Sequence, residues 1–137
     1  MQYTKNNDTY IIRLMSGEEL ITTLTKFFQE QNIKGGWING IGGSQEIELA
    51  SFNLESKQYT NKLFNDQFYE VTSIQGNISV EKLHIHVTLA NHQYQVFGGH
   101  CNKLVANPTI ELVIRPFTEL HRAMESEIGL ALLKLQY

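Results

Sequence analysis

Apolar residues recur along the chain at two different periods. From Leu83 to Leu89 they alternate strictly: Leu83, Ile85, Val87 and Leu89 are separated by His84, His86 and Thr88. Successive side chains of a strand point to opposite faces, so the aliphatic set predicts a core face and the polar set an outer one. From Leu20 the period is helical. Leu20, Ile21, Leu24, Phe27 and Phe28 fall on one stripe of an amphipathic helix. Ser16, with Glu19 three positions on, reads as a capping box that opens this helix. Gly35-Gly36 reads as its end after a polar turn.

Strand signals dominate elsewhere. Tyr10–Leu14, Trp37–Ile41, Ile47–Leu54, Tyr69–Val80, Gln93–Phe97 and Thr109–Ile114 are β-rich runs. Ile47–Leu54 changes phase near Ala50, which predicts a bulge, and Gly76 predicts a bend or bulge in its own run. The first eight residues are polar and read as a flexible tail. Phe117–Tyr137 fits neither period, although Leu130, Leu132, Leu133 and Leu135 must pack somewhere. One helix among about seven strands predicts an α+β fold with a largely antiparallel sheet.

The length of 137 residues suits a single domain, 1–137. With 42% hydrophobic residues the chain can bury a core, which argues against intrinsic disorder. A formal net charge of −3, with 18% charged residues, argues against a surface built for non-specific contact with nucleic acid or acidic membranes. No run approaches the roughly 20 apolar residues of a membrane span. The first residues lack the apolar centre of a signal peptide. Cys101 is the single cysteine, so no internal disulfide can form, and a cytoplasmic location is expected.

The glycines between Gly35 and Gly43 invite a nucleotide-binding reading, but the spacing fails. No Lys follows in the phosphate-loop position, and the third glycine of a dinucleotide fingerprint is replaced by Gln45. Tight turns and close strand packing account for them better.

The histidines are more informative. His84, His86, His92 and His100 fall within 17 residues. A hairpin with residues 91–93 as its loop would set Ala90 opposite Tyr94, His84 opposite His100 and His86 opposite Gly98. All three imidazoles then share one face, with Gly98-Gly99 leaving open space above the sheet. A slip of one residue would send His100 to the other face. Three converging neutral imidazoles suit Zn²⁺ or a related divalent metal, and three protein ligands leave a position open for water or substrate. His92 belongs to the turn, His121 is remote, and Cys101 faces the core.

A run of anchors then resembles a known family. Tyr10-Ile-Ile-Arg-Leu, Gly17-Glu-Glu-Leu, Trp37-Ile-Asn-Gly-Ile-Gly, Tyr69-Glu-Val, Gly76-Asn-Ile-Ser, Leu83-His-Ile-His-Val, Val96-Phe-Gly-Gly-His and Gly129-Leu-Ala-Leu-Leu are similar in order and spacing to the plants and prokaryotes conserved (PPC) domain. The resemblance implies a curved, largely antiparallel sheet with one principal helix, assembled as a homotrimer. It implies a metal, usually zinc, on His84, His86 and His100. It also implies a fold relation to α-acetolactate decarboxylase. Three departures stand out. There is no Arg-Gly-Arg AT-hook core, Phe68 replaces the arginine of the plant Arg-Phe-Glu segment, and Cys101 follows Gly-Gly-His.

Two functional expectations follow from the resemblance. The first is a zinc-binding homotrimer with a regulatory or DNA-associated role; DNA contact has weak support, because Lys57, Lys62, Lys82, Lys103 and Lys134 form no basic stripe. The second is a metal-dependent hydrolase or decarboxylase acting on a small carbonyl compound. There Glu70 would serve as general base or extra ligand, and Arg13 is a weaker option for holding an anion.

Overall fold

The computed structural model describes residues 1–135. Strand β2 (Thr9–Met15) alternates as its sequence does, with Tyr10, Ile12 and Leu14 buried and Ile11, Arg13 and Met15 exposed. The segment expected to be a flexible tail is instead strand β1 (Gln2–Asn6), paired antiparallel with β2 from Gln2–Arg13 to Asn6–Thr9. A polar edge strand has no apolar pattern to reveal it; its backbone pairing holds it. The N-terminal ammonium also bonds to the Glu18 carboxylate.

Helix α1 spans Leu20–Glu30 and buries Leu20, Leu24, Phe27 and Phe28, the predicted stripe. Its start differs from the expected capping box. Glu19, not Ser16, is the cap, and its carboxylate accepts from the amides of Ile21 at 3.0 Å and Thr22 at 2.8 Å. The reason is that Glu19 is held extended by a bridge to Val105, so the helix cannot begin earlier. The helix also ends before Gly35-Gly36. Gln31 caps it, Asn32 takes a positive φ of 51°, and Gly36 already begins the next strand.

Two long strands organise the remainder: β3 (Gly36–Asn53) and β7 (Val96–Pro116). Each absorbs two runs that read separately in the sequence. Strands β4 (Gln58–Phe64), β5 (Tyr69–Ile78) and β6 (Leu83–Ala90) lie between them in the chain. β3 pairs with β5, β5 with β6, β6 with β7, and β7 with β3, all antiparallel. The sheet therefore closes on itself, flanked by β1–β2 on one side and β4 on the other. Ile38, Ile47, Ile74, Ile85, Leu104 and Ile110 fill the inside against α1. A register shift between Glu48 and Leu49 answers the phase change expected near Ala50. Gly76 makes no bulge. It pairs regularly with Ile38 and Ile85, and a Cβ there would collide with the His84 carbonyl.

The unassigned C-terminal segment forms a separate antiparallel hairpin, β8 (His121–Glu125) with β9 (Leu130–Lys134). Gln136 and Tyr137 lie outside the described residues.

Candidate metal centre

The strict alternation of β6 places Ile85, Val87 and Leu89 in the core and turns His84 and His86 outward. β7 brings His100 to the same face, but in a different register. His86, not His84, stands opposite His100, and Thr88 stands opposite Gly98. The loop is longer than the three residues expected. It runs over 91–95, with Asn91 Oδ1 accepting from the amides of Gln93 and Gln95, each at 3.0 Å, and Tyr94 at a φ of 61°. The displacement is two residues, an even number, so the face is preserved. Gly98 does not open space either: a Cβ there would run into the Val87 carbonyl, and the glycine lets β6 and β7 approach closely.

The three rings cluster, with centroids 5.0, 5.2 and 5.4 Å apart. One ring nitrogen from each of His84, His86 and His100 lies within 4.8 Å of the other two. Nε2 of His84 and Nε2 of His86 are 3.2 Å apart. Two nitrogens bound tetrahedrally at about 2.05 Å would be about 3.3 Å apart, so this pair is already near the chord a zinc-type ion needs.

Electrostatics favour the ligating form. Burial pushes the His84 imidazole down from its ordinary value to about 4, with the Arg122 guanidinium and the neighbouring histidines adding to the effect. Burial and the His86 and Lys82 charges also lower His100. A neutral imidazole is what a metal takes. Among the described residues His100 Nδ1 is buried without a hydrogen-bond partner. The donor set and its protonation fit a divalent metal of borderline softness.

Surrounding residues were not legible beforehand. Asn77 on β5 lies opposite His84 and accepts at Oδ1 from Arg122 Nη2 at 2.6 Å. Arg122 comes from β8, where no periodic signal existed, and its Nη2 is 3.4 Å from His84 Nδ1. The Tyr59 ring from β4 lies 5.8 Å from that of His100.

Other proposed residues fall elsewhere. Glu70 is exposed on β5 opposite Ala90, four residues along β6 from His86, or roughly 13 Å at the rise of a strand. The structure does not bring it to the histidines. Arg13 bonds Gln2 Oε1 at 2.8 Å on the β1–β2 pair. His121 lies between Glu81 and Glu119, whose hydrogen bonds raise its pKa. Cys101 is buried on the core side, and burial pushes its thiol up to about 12. No helix among the described residues is long and apolar enough to cross a membrane.

Residues 1–118 match the family model for the Plants and Prokaryotes Conserved (PCC) domain. The chain belongs to the PCC domain family. Among solved structures, a protein provisionally described as DNA-binding from Bacteroides thetaiotaomicron is 30% identical, with a TM-score of 0.92 over 97% of this chain and 96% of that one. A metal-containing protein from Archaeoglobus fulgidus is 26% identical, with a TM-score of 0.85 over 98% and 96% of the two chains. α-Acetolactate decarboxylase from Bacillus subtilis shares the fold alone, at 14% identity and a TM-score of 0.52 over 88% of this chain and 58% of that one. The bifunctional protein GlmU of Synechococcus sp. is 25% identical over 91 residues, or 66% of this chain, and the PCC chain spans 14% of that relative's length.

Proposed function

We propose that this PCC-domain protein is a homotrimer that binds a zinc-type divalent metal on His84, His86 and His100 and presents it to a small ligand in a regulatory role. The observation that carries the reading is the convergence of three imidazoles, two of them held neutral, on the outer face of a hairpin. A metal held there would act as a Lewis acid toward a ligand oxygen, since three protein donors leave a coordination position free. β6 and β7 fix the ring positions, and Asn77 holds Arg122 beside His84.

Ligand binding is favoured over turnover. A hydrolase or decarboxylase needs a group to move protons at the reacting centre. Among the described residues the cluster holds three histidines and no carboxylate, and Glu70 stands well away. Assembly is supported by Ile11, Trp37, Ile41 and Val113, which are exposed on the outer face of β2, β3 and β7. A second copy of the chain would cover such a patch. The acidic net charge does not favour direct DNA contact, although a solved relative carries that description.

Metal analysis after exhaustive dialysis tests the reading. About one ion per chain is expected, lost when His84 and His100 are both replaced by Ala. Less than one ion per several chains, even after added Zn²⁺, would sink it. Light scattering at the mass of one chain would remove the trimer.

A further inference from the structure

Among the described residues, Arg122 carries a charge that none of its side-chain hydrogen-bond partners answers. Its Nη1 donates to the Ala131 carbonyl at 3.0 Å and its Nη2 to Asn77 Oδ1 at 2.6 Å, with His84 Nδ1 at 3.4 Å. All three acceptors are neutral. Nε is buried with no partner among the described residues. Among the described residues no carboxylate lies within 4.0 Å of the guanidinium. Glu81 is the acidic group with influence there, but its oxygens are used by His121 and by the backbone amide of Arg122. Lys82 adds a second positive charge near the same histidines.

A half-buried cation held only by neutral groups is costly unless an anion completes it. The guanidinium fork matches a carboxylate in shape, and its hydrogen bonds to one are stronger than those to neutral acceptors. The contact with His84 is too long to be a good hydrogen bond. It is therefore the contact an incoming anion would replace at least cost. Its position beside His84 Nδ1 puts any such anion at the edge of the three-histidine cluster.

We propose that Arg122 forms a carboxylate-binding subsite beside the three-histidine centre, so that the ligand of that centre is a small carboxylic acid anion. One carboxylate oxygen would bond the guanidinium, leaving the other free to turn toward the histidine cluster. The inference rests on the metal reading above and deepens it by naming the ligand class. Arg122 selects for negative charge; it is not assigned a chemical step.

Acetate and acetamide, which share shape but not charge, distinguish the outcomes. Protein loaded with Co²⁺ is titrated with each, following the visible spectrum of the ion. The wild type is expected to prefer acetate. Arg122→Gln should weaken acetate about tenfold or more and leave acetamide within twofold, while Arg122→Lys should restore part of the preference. An unchanged acetamide response also reports that the variant keeps its fold and its cobalt. Equal loss of both ligands, or an acetate affinity within twofold of wild type in Arg122→Gln, would overturn the subsite. If the wild type takes up no cobalt, the metal reading fails. The subsite is then decided by calorimetry of acetate on the metal-free proteins, where equal heats for wild type and Arg122→Gln overturn it and a heat lost in the variant supports it.

Discussion

Lowering the pH of the metal-free protein from 7.5 to 5 should cost the fold about 1 kcal/mol through His84 alone. In the folded chain burial and Arg122 hold this imidazole at about 4, against an ordinary 6.5. Its stability contribution is therefore fully present above the unfolded value. It is lost as pH falls from about 6.5 toward 4, because the unfolded chain takes up the proton first. At pH 5 the linkage relation gives about 2 kcal/mol, and solvent screening of a half-exposed ring brings that to about 1 kcal/mol. At about 2.1 cal/mol/K of unfolding entropy per residue, that corresponds to roughly 3–4 °C in Tm. His121 works in the opposite direction, since Glu81 and Glu119 raise its pKa and its contribution fades as pH rises. The quantity to measure is thus a difference: urea unfolding of wild type and His84→Asn, both in chelator, at a series of pH values. The wild type should lose about 1 kcal/mol more than the variant between the two ends of the series. Parallel pH dependences would refute the claim that burial of His84 is what keeps the site ready for a metal.

Three further outcomes follow from the geometry. Gly98→Val should cost about 2 kcal/mol or more in denaturant unfolding and lower metal content, because its Cβ would meet the Val87 carbonyl and force β6 from β7. Glu19→Ala should cost about 1–2 kcal/mol in the same assay, since its carboxylate serves the Ile21, Thr22 and Leu104 amides; a loss under about 0.3 kcal/mol would show the cap to be idle. Glu70→Gln should leave metal content unchanged by elemental analysis, given its distance from the histidines; a clear drop would restore it as a ligand.

The histidine face was legible because strand parity is robust. The β6–β7 loop is two residues longer than its sequence predicts, which sets His86 in place of His84 opposite His100 but leaves all three rings on one side. The helix stripe was legible for a similar reason: Leu20, Leu24, Phe27 and Phe28 mark a buried face whatever caps it. Its start was not, since the bridge from Glu19 to Val105 joins residues far apart in the chain. Strand β1 was not legible because an edge strand with every side chain exposed has no hydrophobic signature. Arg122 and Asn77 could not have been placed beside the histidines by any local pattern. Asn77 reaches the site through the β5–β6 pairing, and Arg122 through the docking of a terminal hairpin on that sheet.

All three histidines sit on one hairpin, between Leu83 and His100, while the sheet closes on itself through the pairing of β3 with β7, from Gly36–Pro116 to Ala50–His100. A hairpin forms in about 1–10 μs, whereas pairing across most of a chain is slow because loop-closure entropy comes first. The ligand set can therefore assemble while the rest of the chain is still unfolded. A cation captured at that moment stabilises the transition state for folding as much as the finished protein. It then speeds refolding and leaves the unfolding rate nearly untouched. In that sense a metal taken up by the hairpin would be a template for the fold as well as its passenger.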